Sequence, residues 1–246
     1  MGLEFTHRRK NKMHEPLIFY ADLTPLFNTK EAQWARDGNM QFAPAGQFPT
    51  PSGSGTLGVD GLVQSAASSR IVWAQKIDLG NYKTWAFNFW AKFPTLASGL
   101  WKNWLCLDST SIVNVKCGFG TLRRTLAPLG WASALGTTDQ HNNIMWGVQP
   151  TANVWNYYTF TVKLVSGTTK NFDVKFYVDG VLKGTFLNEP AYPNWDNGSK
   201  NQHIRIGSET TDFWNAVIKN YSVYEYFTED MLTDLVANGG IPKQFR

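Results

Sequence analysis

Residues 84–93 place Trp85, Phe87, Phe89, Ala91 and Phe93 at every second position, with Thr84, Asn88 and Lys92 in the alternate phase. Successive side chains of an extended strand point to opposite faces, so this period of two specifies a strand with one buried face. The pattern recurs. Phe160, Val162 and Leu164 alternate with Thr159, Thr161 and Lys163, and Phe172, Val174, Phe176 and Val178 share one phase of the next segment. Asp179-Gly180 follows directly, and residues 181–186 return. A type I′ turn needs positive φ at both central residues, which makes Asp-Gly between two apolar runs one of the strongest hairpin signals.

Further strands are expected at 17–23, 70–77, 204–207 and 216–226, and a stretch rich in Gly, Pro, Ser and Ala at 44–69 reads as loop with one short strand. One helix is expected. Thr228 caps it, Glu229 and Asp230 suit its positive N-terminal end, Met231, Leu232 and Leu235 form its apolar side, and Asn238-Gly239-Gly240 stops it. Of the 246 residues 17% are charged and 15% aromatic, a mixture that suits half-buried pleated surfaces. The expected fold is all-β: an antiparallel two-sheet jelly-roll sandwich with one short C-terminal helix. Too little sequence precedes 44–69 for a separate domain, so the organisation expected is a basic N-terminal arm (1–14) and a single domain (15–246).

The net charge of +4 equals the contribution of four cations in one short run, Arg8, Arg9, Lys10 and Lys12. The remainder is near neutral and shows no broad basic field, so nucleic acid is not an expected partner. The arm reads either as a solvated terminus or as a segment that binds a partner. No apolar core of a secretory signal follows it, and no apolar run reaches the ~18 residues needed to span a bilayer. Cys106 and Cys117 are the two cysteines, read as packed thiols, a bridge across a hairpin of 105–107 with 113–117, or, least of all, metal ligands.

The C-terminal third carries a resemblance. Trp155-Asn-Tyr-Tyr-Thr-Phe-Thr-Val162, then Lys175-Phe-Tyr-Val-Asp-Gly-Val-Leu182, Ile204-Arg-Ile-Gly-Ser208, Ile218-Lys-Asn-Tyr221 and Phe227-Thr-Glu-Asp-Met231 follow one another. This order resembles the concanavalin A-like, laminin-G-like jelly rolls over about 153–236. Two positions depart from the family's pattern: Ala216 stands where Gly is usual and Lys219 where Asp is usual. The resemblance therefore implies the fold and not a shared local chemistry. Residues 95–150 carry no signature of the family.

The same fold hosts glycosidases, which need a pair of carboxylates about the scissile bond. The glutamates, at 4, 15, 31, 189, 209, 225 and 229, form no Glu-x-Asp-x-x-Glu run, and Glu225 and Glu229 read as solvated. There is no Gly-x-Ser-x-Gly elbow, phosphate loop or zinc pattern, and the histidines at 7, 14, 141 and 203 are scattered. An enzyme is not expected, nor is a cofactor. Calcium is the one metal weighed, through loop oxygens such as those of Asp139, Asp196, Asn197 and Asp212.

Of eleven tryptophans, Trp101, Trp104, Trp131, Trp146 and Trp195 fall in expected loops. Aromatic faces beside amides and carboxylates suit sugars, whose apolar faces stack on rings while their hydroxyls take polar partners. Trp131, Trp146, Tyr192, Trp195, Asp196 and Asn197 are the candidate glycan contacts. The same rings also suit a subunit interface or the protein's own core. Combined with the resemblance, the leading expectation is a non-enzymatic structural or decoration protein of a large assembly. It would be displayed on a phage virion (capsid or fibre), held to neighbouring subunits by its arm and carrying glycan-adhesive loops. The alternative is a dedicated lectin-like module of a secreted or cell-surface protein that binds glycans without membrane insertion.

Overall fold

The computed structural model describes residues 16–24, 33–35, 56–64, 70–77, 84–93, 102–108, 117–122, 130–134, 151–166, 171–190, 202–207 and 216–246. These form β1 (Leu17–Ala21), β2 (Gln33–Ala35), β3 (Thr56–Gly58), β4 (Gly61–Gln64), β5 (Arg70–Ile77), β6 (Thr84–Lys92) and β7 (Lys102–Asp108). Then follow β8 (Cys117–Leu122), β9 (Gly130–Ala134), β10 (Trp155–Leu164), β11 (Asn171–Val178), β12 (Val181–Pro190), β13 (Gln202–Gly207) and β14 (Ala216–Tyr224). The helix α1 (Glu229–Ala237) and a 3-10 turn, Lys243–Phe245, end the chain. One sheet runs β12-β11-β10-β6-β14-β1-β2, with the β3–β4 hairpin joined to β14, and the second runs β5-β13-β7-β8-β9. The result is an antiparallel two-sheet jelly-roll sandwich with one C-terminal helix.

The alternating segments behave as their period requires. Phe160 lies opposite Phe87 on one side and Phe176 on the other. Their rings stack in a row across three strands, with centroids 4.8 and 4.6 Å apart. The Asp-Gly turn has φ of 51° and 80°, the positive pair that type I′ demands. Asp179 also ties this turn to β10, accepting from the Tyr157 N–H at 2.7 Å and the Asn156 amide at 2.6 Å.

The opposite face of the large sheet departs from expectation. Asn88, Thr159 and Ser222, all in the polar phase, are fully buried. Five aromatic residues share that phase: Tyr20, Trp90, Tyr157, Tyr177 and Tyr224, and together with Leu17 they form a second core with α1 and the tail. Leu232 and Leu235 of α1 are buried there, with Met231, Val236 and Phe245 packed against the cluster. Phe245 stacks on Tyr20 at 4.8 Å. Arg246 grips Asp234 with both terminal nitrogens, and this charged pair holds the Asp234 carboxyl below the usual range. Thr159 donates to Asn88 at 2.7 Å, and Tyr20 donates to Asn220, whose amide donates on to the Gly239 carbonyl.

Gly240 sits where the tail meets this face, at φ +77°, a region that L-residues enter only under strain. A Cβ there would stand 2.8 Å from the Tyr157 ring and 2.9 Å from that of Trp90. Gly240→Ala is expected to cost about 3 kcal/mol, the sum of strained backbone and overpacking. Gly239 is the internal control, since its φ is +65° but no atom lies within 4 Å of its added Cβ. Urea denaturation of both alanine variants checks this, and equal midpoints would contradict the packing term.

Three expectations are corrected. The 44–69 stretch holds two short strands, β3 and β4, rather than one; Gly61 permits the hairpin because a Cβ there would lie 2.3 Å from the Ile218 carbonyl oxygen. Trp104 and Trp131, expected in loops, lie on β7 and β9, Trp131 opposite Thr121. The partner of 105–107 is 117–119, with Leu107 opposite Cys117 and Cys106 opposite Gly118. The cysteines are thus one residue out of register. Glycine and alanine in Cys117-Gly-Phe-Gly-Thr-Leu122 and Gly130-Trp-Ala-Ser-Ala134 weaken the β signal, which hid these strands.

Candidate functional site

Among the described residues, α1 and the C-terminal tail cover part of the helix-side face of the large sheet. Beyond the helix N-terminus a groove of about 520 Å³ opens. Thr161 and Lys163 of β10 face Lys175 and Asp173 of β11 in register, and Tyr177 continues the same phase. These residues line the groove together with Thr84 of β6, Leu187 of β12, and Tyr226, Phe227, Thr228 and Glu229 from the β14–α1 junction.

Local bonds fix these walls. Thr84 donates to the Glu225 carbonyl at 2.7 Å, pinning the end of β14 to β6. Thr228 accepts from the Met231 N–H at 3.3 Å and so sets where α1 starts. Asp173 accepts from the Asn188 N–H at 2.9 Å, and Asn171 donates to the Asn188 side chain at 2.8 Å. Asn188 has φ +60°, a conformation Asn tolerates, and it follows Leu187 at the edge strand. Leu187 is 68% exposed and Tyr226 50%, so the groove has apolar walls open to solvent. Burial, and next the charge of Glu229, push the Tyr177 hydroxyl above its ordinary pKa. Among the described residues Lys163, Lys175 and Glu229 form no ion pair.

None of the candidates drawn from the sequence is among the groove residues described above. Trp146, Tyr192, Trp195, Asp196 and Asn197 are outside the described residues, as are Asp139, Asp212 and the arm residues Arg8, Arg9, Lys10 and Lys12. Trp131 belongs to the second sheet, on β9. Among the described residues no three of His, Cys, Asp or Glu gather as metal ligands, and no helix is long and apolar enough to cross a membrane. Sequence reasoning passed over the groove residues because Lys163 and Thr161 read simply as a solvated phase. The usable signal was Tyr226-Phe227, two adjacent rings directly before a capped helix.

No family model matches the chain, and no curated protein matches it. Solved structures do, by shape. Domain 4 of the extracellular arabinanase AbnA from Geobacillus stearothermophilus, solved with arabinotriose, is 15% identical with a TM-score of 0.51, over 74% of this chain and 80% of that one. Botulinum neurotoxin type C, described as entering cells through two ganglioside molecules, is 14% identical with a TM-score of 0.59. That match covers 93% of this chain and 52% of the toxin chain, so this chain spans about half its length. A Trypanosoma rangeli sialidase is 11% identical with a TM-score of 0.57, over 91% of this chain and 33% of that one. At these identities the likeness establishes the β-sandwich fold alone.

Proposed function

We propose that this chain is a non-catalytic carbohydrate-binding module that acts outside the cell or at a surface, and that the groove beside α1 is its binding site. One observation carries the reading. The groove sets exposed apolar walls, Tyr226 and Leu187, around a floor of hydroxyl, ammonium and carboxylate groups from Thr161, Lys163, Lys175 and Asp173. A sugar needs both, an apolar platform for its ring face and paired donors and acceptors for its hydroxyls. Its volume lies within the ~300–1,000 Å³ of small-molecule sites. Structural neighbours support the reading, since one was solved with arabinotriose and another is described with gangliosides.

The narrower laminin-G assignment rests on the motifs between residues 155 and 231. The expectation of a virion subunit rests on the arm together with the family resemblance.

The test is a glycan array probed with the multimerised protein, whose avidity reveals weak sites. It is run with calcium and again with chelator. Specific binding is expected, reduced about tenfold in Tyr226→Ala, as loss of one stacking ring of roughly 1.4 kcal/mol implies. Binding unaffected by Tyr226→Ala would move the site away from this groove, to the aromatic segment around Trp195. Release of free sugar from a bound glycan would overturn the non-catalytic reading.

A further inference from the structure

We infer that the groove selects uncharged saccharides over sialylated or sulfated ones, an inference that rests on the carbohydrate reading above and adds the ligand class. The groove holds two cations, Lys163 and Lys175, and two anions, Asp173 and Glu229. Their placement makes the balance local. Lys163 and Asp173 are register partners on adjacent strands, where directly opposed residues have Cβ atoms about 4.5–5.5 Å apart. An acidic group brought to Lys163 therefore also comes near the Asp173 carboxylate on the neighbouring strand. Lys175 lies in the same phase of β11 as Asp173, two residues away, and opposite Thr161. It offers an acidic ligand no isolated positive pocket.

Asp173 is held by a hydrogen bond from the edge strand β12. Its Oδ1 accepts from the Asn188 N–H, and Asn188 is in turn held by the Asn171 amide. A second carboxylate or a sulfate in this groove would face the Asp173 and Glu229 carboxylates at short range and be repelled by them. A hydroxyl meets no such penalty. It donates to a carboxylate and accepts from an ammonium or from Thr161, so fixed groups of both signs are all usable by a neutral polyol. Leu187 and Tyr226 supply the apolar flanks such a ligand needs. Binding of a neutral ligand also gains nothing from long-range attraction, so it should be nearly independent of ionic strength.

The experiment is an array of neutral glycans, each paired with its sialylated and sulfated form, probed with the full chain at low and high salt. A second variant, Asp173→Asn with Glu229→Gln, is probed alongside. Asn at 173 keeps an oxygen for the Asn188 N–H, and an unchanged thermal midpoint verifies folding. Neutral members are expected to bind best, with less than about a twofold change between low and high salt. In the variant the signal ratio of acidic to neutral forms should rise at least about fivefold. Preference of the natural chain for acidic forms would overturn the inference and leave the carbohydrate reading standing. An unchanged ratio in the folded variant would overturn the role of the two carboxylates. A blank array would overturn both readings together.

Discussion

By pH 11 the protein is expected to have lost about 5 kcal/mol of the stability it has near neutral pH and to unfold in a single alkaline transition. Tyr20, Tyr157, Tyr158 and Tyr224 all have hydroxyl pKa values raised above the ordinary 10.0, with burial the largest cause in each. A phenolate inside the second core or inside the sandwich would lack the water that stabilises its charge, so the folded chain retains these protons. The unfolded chain releases them at the ordinary pKa. With the folded value above the unfolded one, the stabilisation is fully present below pH 10 and is lost as the pH rises further. Each group then contributes about 1.4 kcal/mol per pH unit, so four approach 5–6 kcal/mol by pH 11. That is comparable with the whole stability of a typical protein, about 5–15 kcal/mol. Tyrosinate absorbance and far-ultraviolet circular dichroism, followed together, check this. Gradual ionisation of every tyrosine near pH 10 with the sheet intact would show that these rings are reached by solvent.

Phe87→Ala is expected to cost about 3–5 kcal/mol, the range for emptying a buried aromatic site. Phe87 is fully buried in the middle of β6, stacked on Phe160 at 4.8 Å and flanked by Trp85 at 5.9 Å and Phe89 at 6.4 Å. Its neighbours belong to paired strands whose spacing is set by backbone hydrogen bonds, so the gap cannot close by collapse. Urea denaturation with an unchanged slope measures the loss. A cost below about 1 kcal/mol would mean that the row of rings is not close-packed.

Much of the strand content was legible because its signals are local. The period of two in 84–92 and 171–178, the Asp179-Gly180 turn and the Thr228 cap each depend on residues a few positions apart, and each lies where expected. The helix was legible down to its cap and its two buried leucines. Strands β8 and β9 were not, since their Gly and Ala positions carry little preference until neighbouring strands hold them. The groove was also illegible. Lys163 and Asp173 become partners through the β10–β11 register, and Tyr226 joins them because β14 pairs with β6 and Thr84 extends that contact to Glu225 across 141 residues.

The alternation of aromatic and polar residues by itself determined that these segments form strands with one face toward an apolar interior. It did so because strand geometry sends neighbouring side chains to opposite faces whatever the rest of the chain does. Only the tertiary structure decided that the other face is buried as well. Nothing local distinguishes an Asn88 or Thr159 in water from one beneath a helix. The difference arises when α1 and Phe245 return over Tyr20, Tyr157 and Tyr224, enclosing those polar groups and ending at the groove.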